Sequence, residues 1–135
     1  MPGRSEAPSH VASPTTGPRR RWPWATSLTT LVILGALMMP GPAVPDVGFD
    51  GIDLLAHLCL FGAWGAAVVW EWAPRWWVLL VVGLAFAVGT EALQTVAVQR
   101  TFSLSDIVAD LVGITLGAGL AHLVRRRLLQ AAEQR

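Results

Sequence analysis

Three long apolar runs constrain the fold of this chain more than any other feature of its sequence. They extend over residues 52–70, 76–98 and 102–124, and each has the roughly 20 residues that a helix needs to cross a bilayer. Because 53% of the residues are hydrophobic and only 14% are charged, a soluble domain of this size is excluded. The sequence therefore predicts an all-α membrane protein.

A fourth, shorter apolar run extends over residues 25–39. The tryptophans Trp22 and Trp24 lengthen it enough to span a slightly thinned bilayer. The alternative is the core of a secretory signal peptide, since the run is short and follows three arginines at residues 19–21. The proline-rich residues 40–45 offer a poor cleavage site, which favours a retained helix. We therefore expect a polytopic membrane bundle of four transmembrane helices.

The remaining segments complete the predicted domain organisation. Residues 1–21 are rich in Pro, Ser, Thr and Gly and have no apolar periodicity, which predicts a disordered cytoplasmic tail. Residues 22–124 form the predicted four-helix membrane domain, and residues 125–135 form a basic cytoplasmic tail.

The arginines set the predicted orientation. All ten basic residues are arginine, and with four helices nine of them fall on one side of the membrane, while Arg100 alone falls on the other. Basic residues near the ends of membrane helices favour the cytoplasmic side, so both termini are predicted to be cytoplasmic. Six of the seven tryptophans lie at the same predicted interface, where amphipathic rings are favoured.

Polar side chains recur at one depth in three of the predicted helices. The pairs are Asp53 and His57 in the second helix, Glu91 and Gln94 in the third, and Asp106 and Asp110 in the fourth. Each pair is spaced by three or four residues and so shares one helix face. All six lie within roughly 10 to 12 Å of the outer boundary at about 1.5 Å per residue. Together with Arg100 and Ser103 at the rim, they predict a polar site near the outer face.

A stripe of small residues continues from the acids of the fourth helix. Asp106, Asp110, Gly113 and Gly117 are spaced by four, three and four residues, which places them on one helix face. Glycines on such a face allow two membrane helices to approach closely, so Gly113 and Gly117 are predicted to pack against another helix of the chain. The alternative use of this motif is a contact between two copies of the chain in a homo-oligomer.

These motifs resemble those of the VanZ-like membrane proteins, a family named for a protein associated with resistance to the glycopeptide antibiotic teicoplanin. The resemblance covers roughly residues 50–122 and is carried by Asp53-Leu-Leu-Ala-His57, Glu91-Ala-Leu-Gln94 and residues 100–113. It implies a multi-pass protein of the bacterial cytoplasmic (inner) membrane, in contact with membrane lipids. The family often has a lysine after the first aspartate, where this chain has Leu54, and often an asparagine where it has Asp110.

Three functions remain open for the polar site. The first is binding of an envelope ligand, either a lipid-linked cell-wall precursor or a lipoglycopeptide such as teicoplanin. The second is a metal-dependent or acid–base membrane enzyme, although the sequence has no H-E-x-x-H, no G-x-S-x-G and no paired cysteines. The third is a purely structural bundle held together by hydrogen bonds. The sequence predicts no resident cofactor and no nucleic-acid partner. It identifies no metal ligands and leaves open whether a metal is bound and whether the protein is an enzyme.

Overall fold

Four helices make up the part of the chain that the computed structural model describes, which is residues 23–39, 51–97 and 101–134. They are α1 (Trp24–Leu37), α2 (Ile52–Trp72), α3 (Trp76–Ala97) and α4 (Leu104–Glu133). No strand occurs in these described ranges, so the predicted all-α class is confirmed. The predicted disordered tail, residues 1–21, lies outside the described residues.

The helices differ in length. Three of the described helices, α2, α3 and α4, are long and apolar enough to cross a membrane, which makes this a multi-pass membrane protein. Helix α1 has 14 residues. At about 1.5 Å per residue it is about 21 Å long, which is shorter than the other three. Helix α4 continues past the predicted end of its apolar run at Val124, so the basic residues 125–127 lie on the same helix.

Helices α1 and α2 run in opposite directions. The start of α1 contacts the end of α2, because Glu71 accepts hydrogen bonds from the backbone nitrogens of Ala25 and Thr26 at 2.7 and 3.0 Å. The Glu71 carboxylate also accepts a bond from the Thr26 hydroxyl at 2.6 Å. Pro23, which precedes α1, makes no side-chain cap, so Glu71 supplies the cap from another helix.

Helices α2 and α4 run in the same direction and form the closest pair in the bundle. Gly62 of α2 faces Gly113 and Gly117 of α4, and Gly65 faces Ile114. Helix α3, which lies between α2 and α4 in the chain, runs in the opposite direction to both. It packs against α4, with Gly83 of α3 facing the Ile114 side chain. The starts of α2 and α4 therefore lie at the same end of the bundle.

Aromatic side chains fill the centre of the bundle. The Phe86 ring lies 5.3 Å from the Phe61 ring and 5.2 Å from the Trp64 ring, measured between centroids. The Trp64 indole nitrogen donates a hydrogen bond to the Thr30 hydroxyl at 3.0 Å, which joins α1 to this core. Large apolar residues elsewhere point outward, among them Val81 and Leu116, which are 60% and 62% exposed. Such an apolar exterior suits contact with lipid.

Candidate functional site

A buried histidine–aspartate pair lies where α2 and α4 begin. The Nδ1 atom of His57 lies 2.9 Å from Oδ1 of Asp110, and both side chains are almost fully buried. The glycine contacts between Gly62, Gly113 and Gly117 lie one to two turns further along these helices. Because the two backbones are close there, the side chains before the crossing can meet directly.

The other ring nitrogen of His57 lies near the carboxylate of Asp106. Its Nε2 atom lies 3.9 Å from Oδ2 of Asp106, too far for a hydrogen bond. Among the described residues, Nε2 is the buried side-chain polar atom that has no hydrogen-bond partner. One potential ligand atom from each of Asp53, His57 and Asp106 lies within 4.8 Å of the others. These three side chains, with Asp110 behind the ring, are referred to below as the His57 cluster.

Glu91 binds the start of α4 and not the histidine ring. Its Oε1 atom accepts a hydrogen bond of 2.5 Å from the backbone nitrogen of Ser103, and its side chain is buried. Ser103 in turn caps α4, because its hydroxyl accepts a bond of 3.3 Å from the backbone nitrogen of Asp106. An anion is favourable at a helix N-terminus, so Glu91 and Ser103 together fix where α4 begins.

Gln94 joins α3 to the end of α1. Its side-chain nitrogen donates a hydrogen bond of 2.9 Å to the carbonyl oxygen of Leu37, and Gln94 is only 1% exposed. The last turn of α1 leaves carbonyl groups without partners inside the helix, and Gln94 satisfies one of them.

Of the predicted site residues, Arg100 lies outside the described part of the chain.

The two predicted glycines lie at the crossing of α2 and α4. A Cβ atom built on Gly113 would overlap the carbonyl oxygen of Leu58, and one built on Gly117 would overlap that of Gly62. A Cβ on Gly65 would lie 2.6 Å from the carbonyl oxygen of Ile114. The sequence analysis missed Gly62 and Gly65, although their spacing of three residues was the available signal. It also missed Glu71, whose signal is a carboxylate at the end of an apolar run.

A family model described as VanZ/LLP1 matches residues 12–125. The chain belongs to the VanZ/LLP1 family. No curated protein and no solved structure matches it. The family assignment and the three membrane-length helices together make this a VanZ-like membrane protein.

The VanZ/LLP1 match covers the whole His57 cluster and all four helices except the last part of α4. Leu54 and Asp110, the two residues that differ from those described above for VanZ-like proteins, have different surroundings. Leu54 is exposed, whereas Asp110 is buried against His57. The Asp110 departure therefore places an acid directly on the histidine ring.

Proposed function

We propose that this VanZ-like protein binds the polar head of a lipid-anchored envelope ligand at the His57 cluster. The observation that carries the proposal is the buried Nε2 atom of His57, which has no hydrogen-bond partner in the described structure. A cluster that only held helices together would be expected to give Nε2 a hydrogen-bond partner, because an unpaired buried polar group costs about 1 to 3 kcal/mol. A group that is left unpaired inside a bundle is suited to a ligand.

An apolar groove beside the cluster supports a ligand with a lipid tail. The groove has a volume of about 700 Å³ and extends between the first turns of α2 and α4. Its lining residues include Gly51, Leu54, Leu58, Leu104 and Val108, each of which lies within two residues of Asp53, His57 or Asp106 in sequence. A ligand with its head at Asp53 and Asp106 could place an acyl or prenyl chain along this surface.

The proposed orientation places the cluster near the outer leaflet of a bacterial cytoplasmic membrane, with four spans and both termini in the cytoplasm. Helix α1 extends from Glu71, at the end of α2, to Gln94, near the end of α3, so it covers much of the bundle height. Local thinning of the bilayer would allow so short a helix to cross. Arg75 lies in the turn between α2 and α3, at the opposite end of the bundle from the cluster.

The ligand classes that fit are a lipid-linked cell-wall precursor and a lipoglycopeptide of the teicoplanin type. Both combine a hydrogen-bonding head with an apolar chain. The carboxylates of Asp53 and Asp106 accept hydrogen bonds from sugar hydroxyls, amides or amines. Arg100 is expected at the rim, where a guanidinium suits an anionic group of the same ligand.

The direct test replaces Asp106 by asparagine, which keeps the size of the side chain and removes its charge. Loss of a hydrogen bond to a charged group costs about 1.5 to 3 kcal/mol, so binding should weaken about ten- to hundredfold. The measurements are binding of a lipid-linked precursor to the purified protein and teicoplanin susceptibility of a bacterium that expresses it. The matched control is Glu133→Gln, the same chemical change at the exposed far end of α4. If Asp106→Asn retained full binding and resistance at unchanged protein level, the cluster would have only a structural role in holding α2 and α4 together.

An acid–base enzyme is the second candidate, and one observation favours it. Asp110 holds Nδ1 of His57 and leaves Nε2 available to accept a proton, as an oriented general base requires. The enzyme function predicts a chemically altered product when the lipid-linked precursor is incubated with the protein. Mass spectrometry of the recovered lipid distinguishes this outcome from simple binding.

A further inference from the structure

We infer that Asp53, His57 and Asp106 bind one divalent transition-metal ion, zinc or manganese, and that Asp110 is a positioning residue for the histidine ligand. The ion site follows from the geometry and chemistry of these side chains and does not depend on the envelope ligand proposed above.

The ligand atoms already lie close to the spacing that an ion requires. One atom from each of the three side chains lies within 4.8 Å of the others, and Nε2 of His57 lies 3.9 Å from Oδ2 of Asp106. Two atoms that each lie about 2.1 Å from zinc are about 3.4 Å apart in tetrahedral geometry. Small rotations of the partly buried Asp53 and Asp106 side chains would close the difference.

The histidine is prepared for metal binding by its hydrogen bond to Asp110. When Nδ1 donates its proton to the Asp110 carboxylate at 2.9 Å, the neutral ring carries a lone pair on Nε2. That lone pair is buried, has no hydrogen-bond partner among the described residues, and lies on the nitrogen that is 3.9 Å from the Asp106 carboxylate. A metal-bound histidine commonly makes this kind of bond from its other nitrogen to a carboxylate.

The charge of the cluster also favours a cation. The carboxylates of Asp106 and Asp110 both lie within 4 Å of the single His57 ring, inside the apolar helices α2 and α4, where excess negative charge is costly. A dication would offset two of these charges. One histidine nitrogen and two carboxylate oxygens suit zinc or manganese, whereas magnesium and calcium prefer ligands that are all oxygen.

Three protein ligands would leave at least one coordination position open. Structural zinc sites are usually closed by four protein ligands, so an open site is one that binds a further molecule. If the proposed function is also correct, the ion replaces the direct contact between Nε2 and the head of the envelope ligand, and its open position can bind an anionic oxygen of that head. This last step rests on the proposed function, whereas the ion site does not.

The test uses the full-length chain purified in detergent, stripped with a chelator and titrated with MnCl₂ or ZnCl₂ alone. Loss of the free Mn²⁺ electron paramagnetic resonance signal gives the dissociation constant and the stoichiometry. We expect one ion per chain, and weaker binding of Mg²⁺ than of Mn²⁺. The His57→Gln variant removes the nitrogen ligand and should abolish tight binding. Glu133→Gln, at the exposed far end of α4, should bind as the unaltered chain does.

The Asp110→Asn variant separates positioning from ligation. The ring should lose part of its orientation and basicity, so metal affinity should fall about 10- to 100-fold. With Co²⁺ in the site, the visible absorption bands should shift in this variant, which a purely structural role for Asp110 would not cause. The thermal unfolding midpoint of each metal-free variant shows whether it is folded.

Two outcomes overturn the assignment. One is absence of stoichiometric Mn²⁺ or Zn²⁺ binding to the folded chain. The other is equal affinity of the unaltered chain and a folded His57→Gln variant. Neither measurement involves teicoplanin or a lipid precursor, so failure of the ion site is distinguishable from failure of the proposed function.

Discussion

The crossing of α2 and α4 leads to a quantitative prediction about Gly113. A Cβ atom at this position would overlap the carbonyl oxygen of Leu58 and lie 3.0 Å from the backbone nitrogen of Gly62. A Cβ at Gly117 would lie 3.0 Å from the Cα atom of Gly62, whereas carbon atoms in good contact are about 3.5 to 4.0 Å apart. Alanine at either position should therefore separate the helices by at least about 0.5 to 1 Å at the crossing, because the overlaps with the carbonyl oxygens of Leu58 and Gly62 are tighter than these contacts.

This displacement predicts both a stability cost and a change at the His57 cluster. Overpacking of this kind costs about 1 to 3 kcal/mol. The bond between His57 and Asp110, at 2.9 Å, lies within about two turns of the crossing. If the helices part by about 0.5 to 1 Å, that separation grows to about 3.4 to 3.9 Å, at or beyond the limit for a hydrogen bond. Gly113→Ala should therefore weaken metal binding as well as stability.

Gly119→Ala is the matched control on the same helix, because a Cβ at Gly119 meets nothing within 4 Å. Both substitutions gain the same helix propensity, up to about 1 kcal/mol, so their difference isolates the crossing. The measurement is reversible unfolding in mixed detergent micelles, followed by tryptophan fluorescence. The double variant Gly113→Ala/Gly117→Ala adds a second check. Because both new methyl groups push against Gly62, the double variant should cost less than the sum of the single ones.

Equal destabilisation by Gly119→Ala and Gly113→Ala would show that the close crossing of α2 and α4 has no special role. Simple addition of the costs at Gly113 and Gly117 would show that the two positions do not share one contact with Gly62.

Two further predictions concern α1 and the orientation of the bundle. Glu71→Ala removes the cap of α1 and should cost about 0.5 to 2 kcal/mol in the same unfolding assay, whereas Glu133→Ala at the exposed end of α4 should change it by less than about 0.5 kcal/mol. An equal effect of the two would show that Glu71 does not hold α1. In a Cys59→Ser background, a membrane-impermeant maleimide added outside the cell should label Asp46→Cys and not Glu133→Cys. The reverse pattern would refute four spans with cytoplasmic termini.

The sequence was enough to predict the long helices and the face of α4 that carries Asp106, Asp110 and the two glycines. Span length and residue spacing are local properties, and both survive in the structure. Which helix the glycines contact depends on the packing of the whole bundle. A membrane helix often contains glycine, so Gly62 did not stand out from the pattern alone.

The partners of the polar residues were harder to predict for a different reason. Glu91 and Gln94 bind backbone groups, the nitrogen of Ser103 and the carbonyl oxygen of Leu37. Side-chain spacing identifies residues that share a face, but it contains no information about unsatisfied backbone atoms on another helix. Equal depth in the membrane was therefore not sufficient to show which residues contact the His57 ring.

The parallel pairing of α2 and α4 has a consequence for the order of events during synthesis. His57 and Asp110 are separated by 53 residues, and α3 must be made between them. At about 5 to 20 residues per second, the ribosome delivers Asp110 about 3 to 10 s after His57. During that interval α2 enters the membrane without the carboxylates of α4, so a chain that stops early keeps a polar helix face uncovered. The polar side chains of α2 that form the site are therefore exposed in an incomplete chain, and they become buried only when α4 packs against α2.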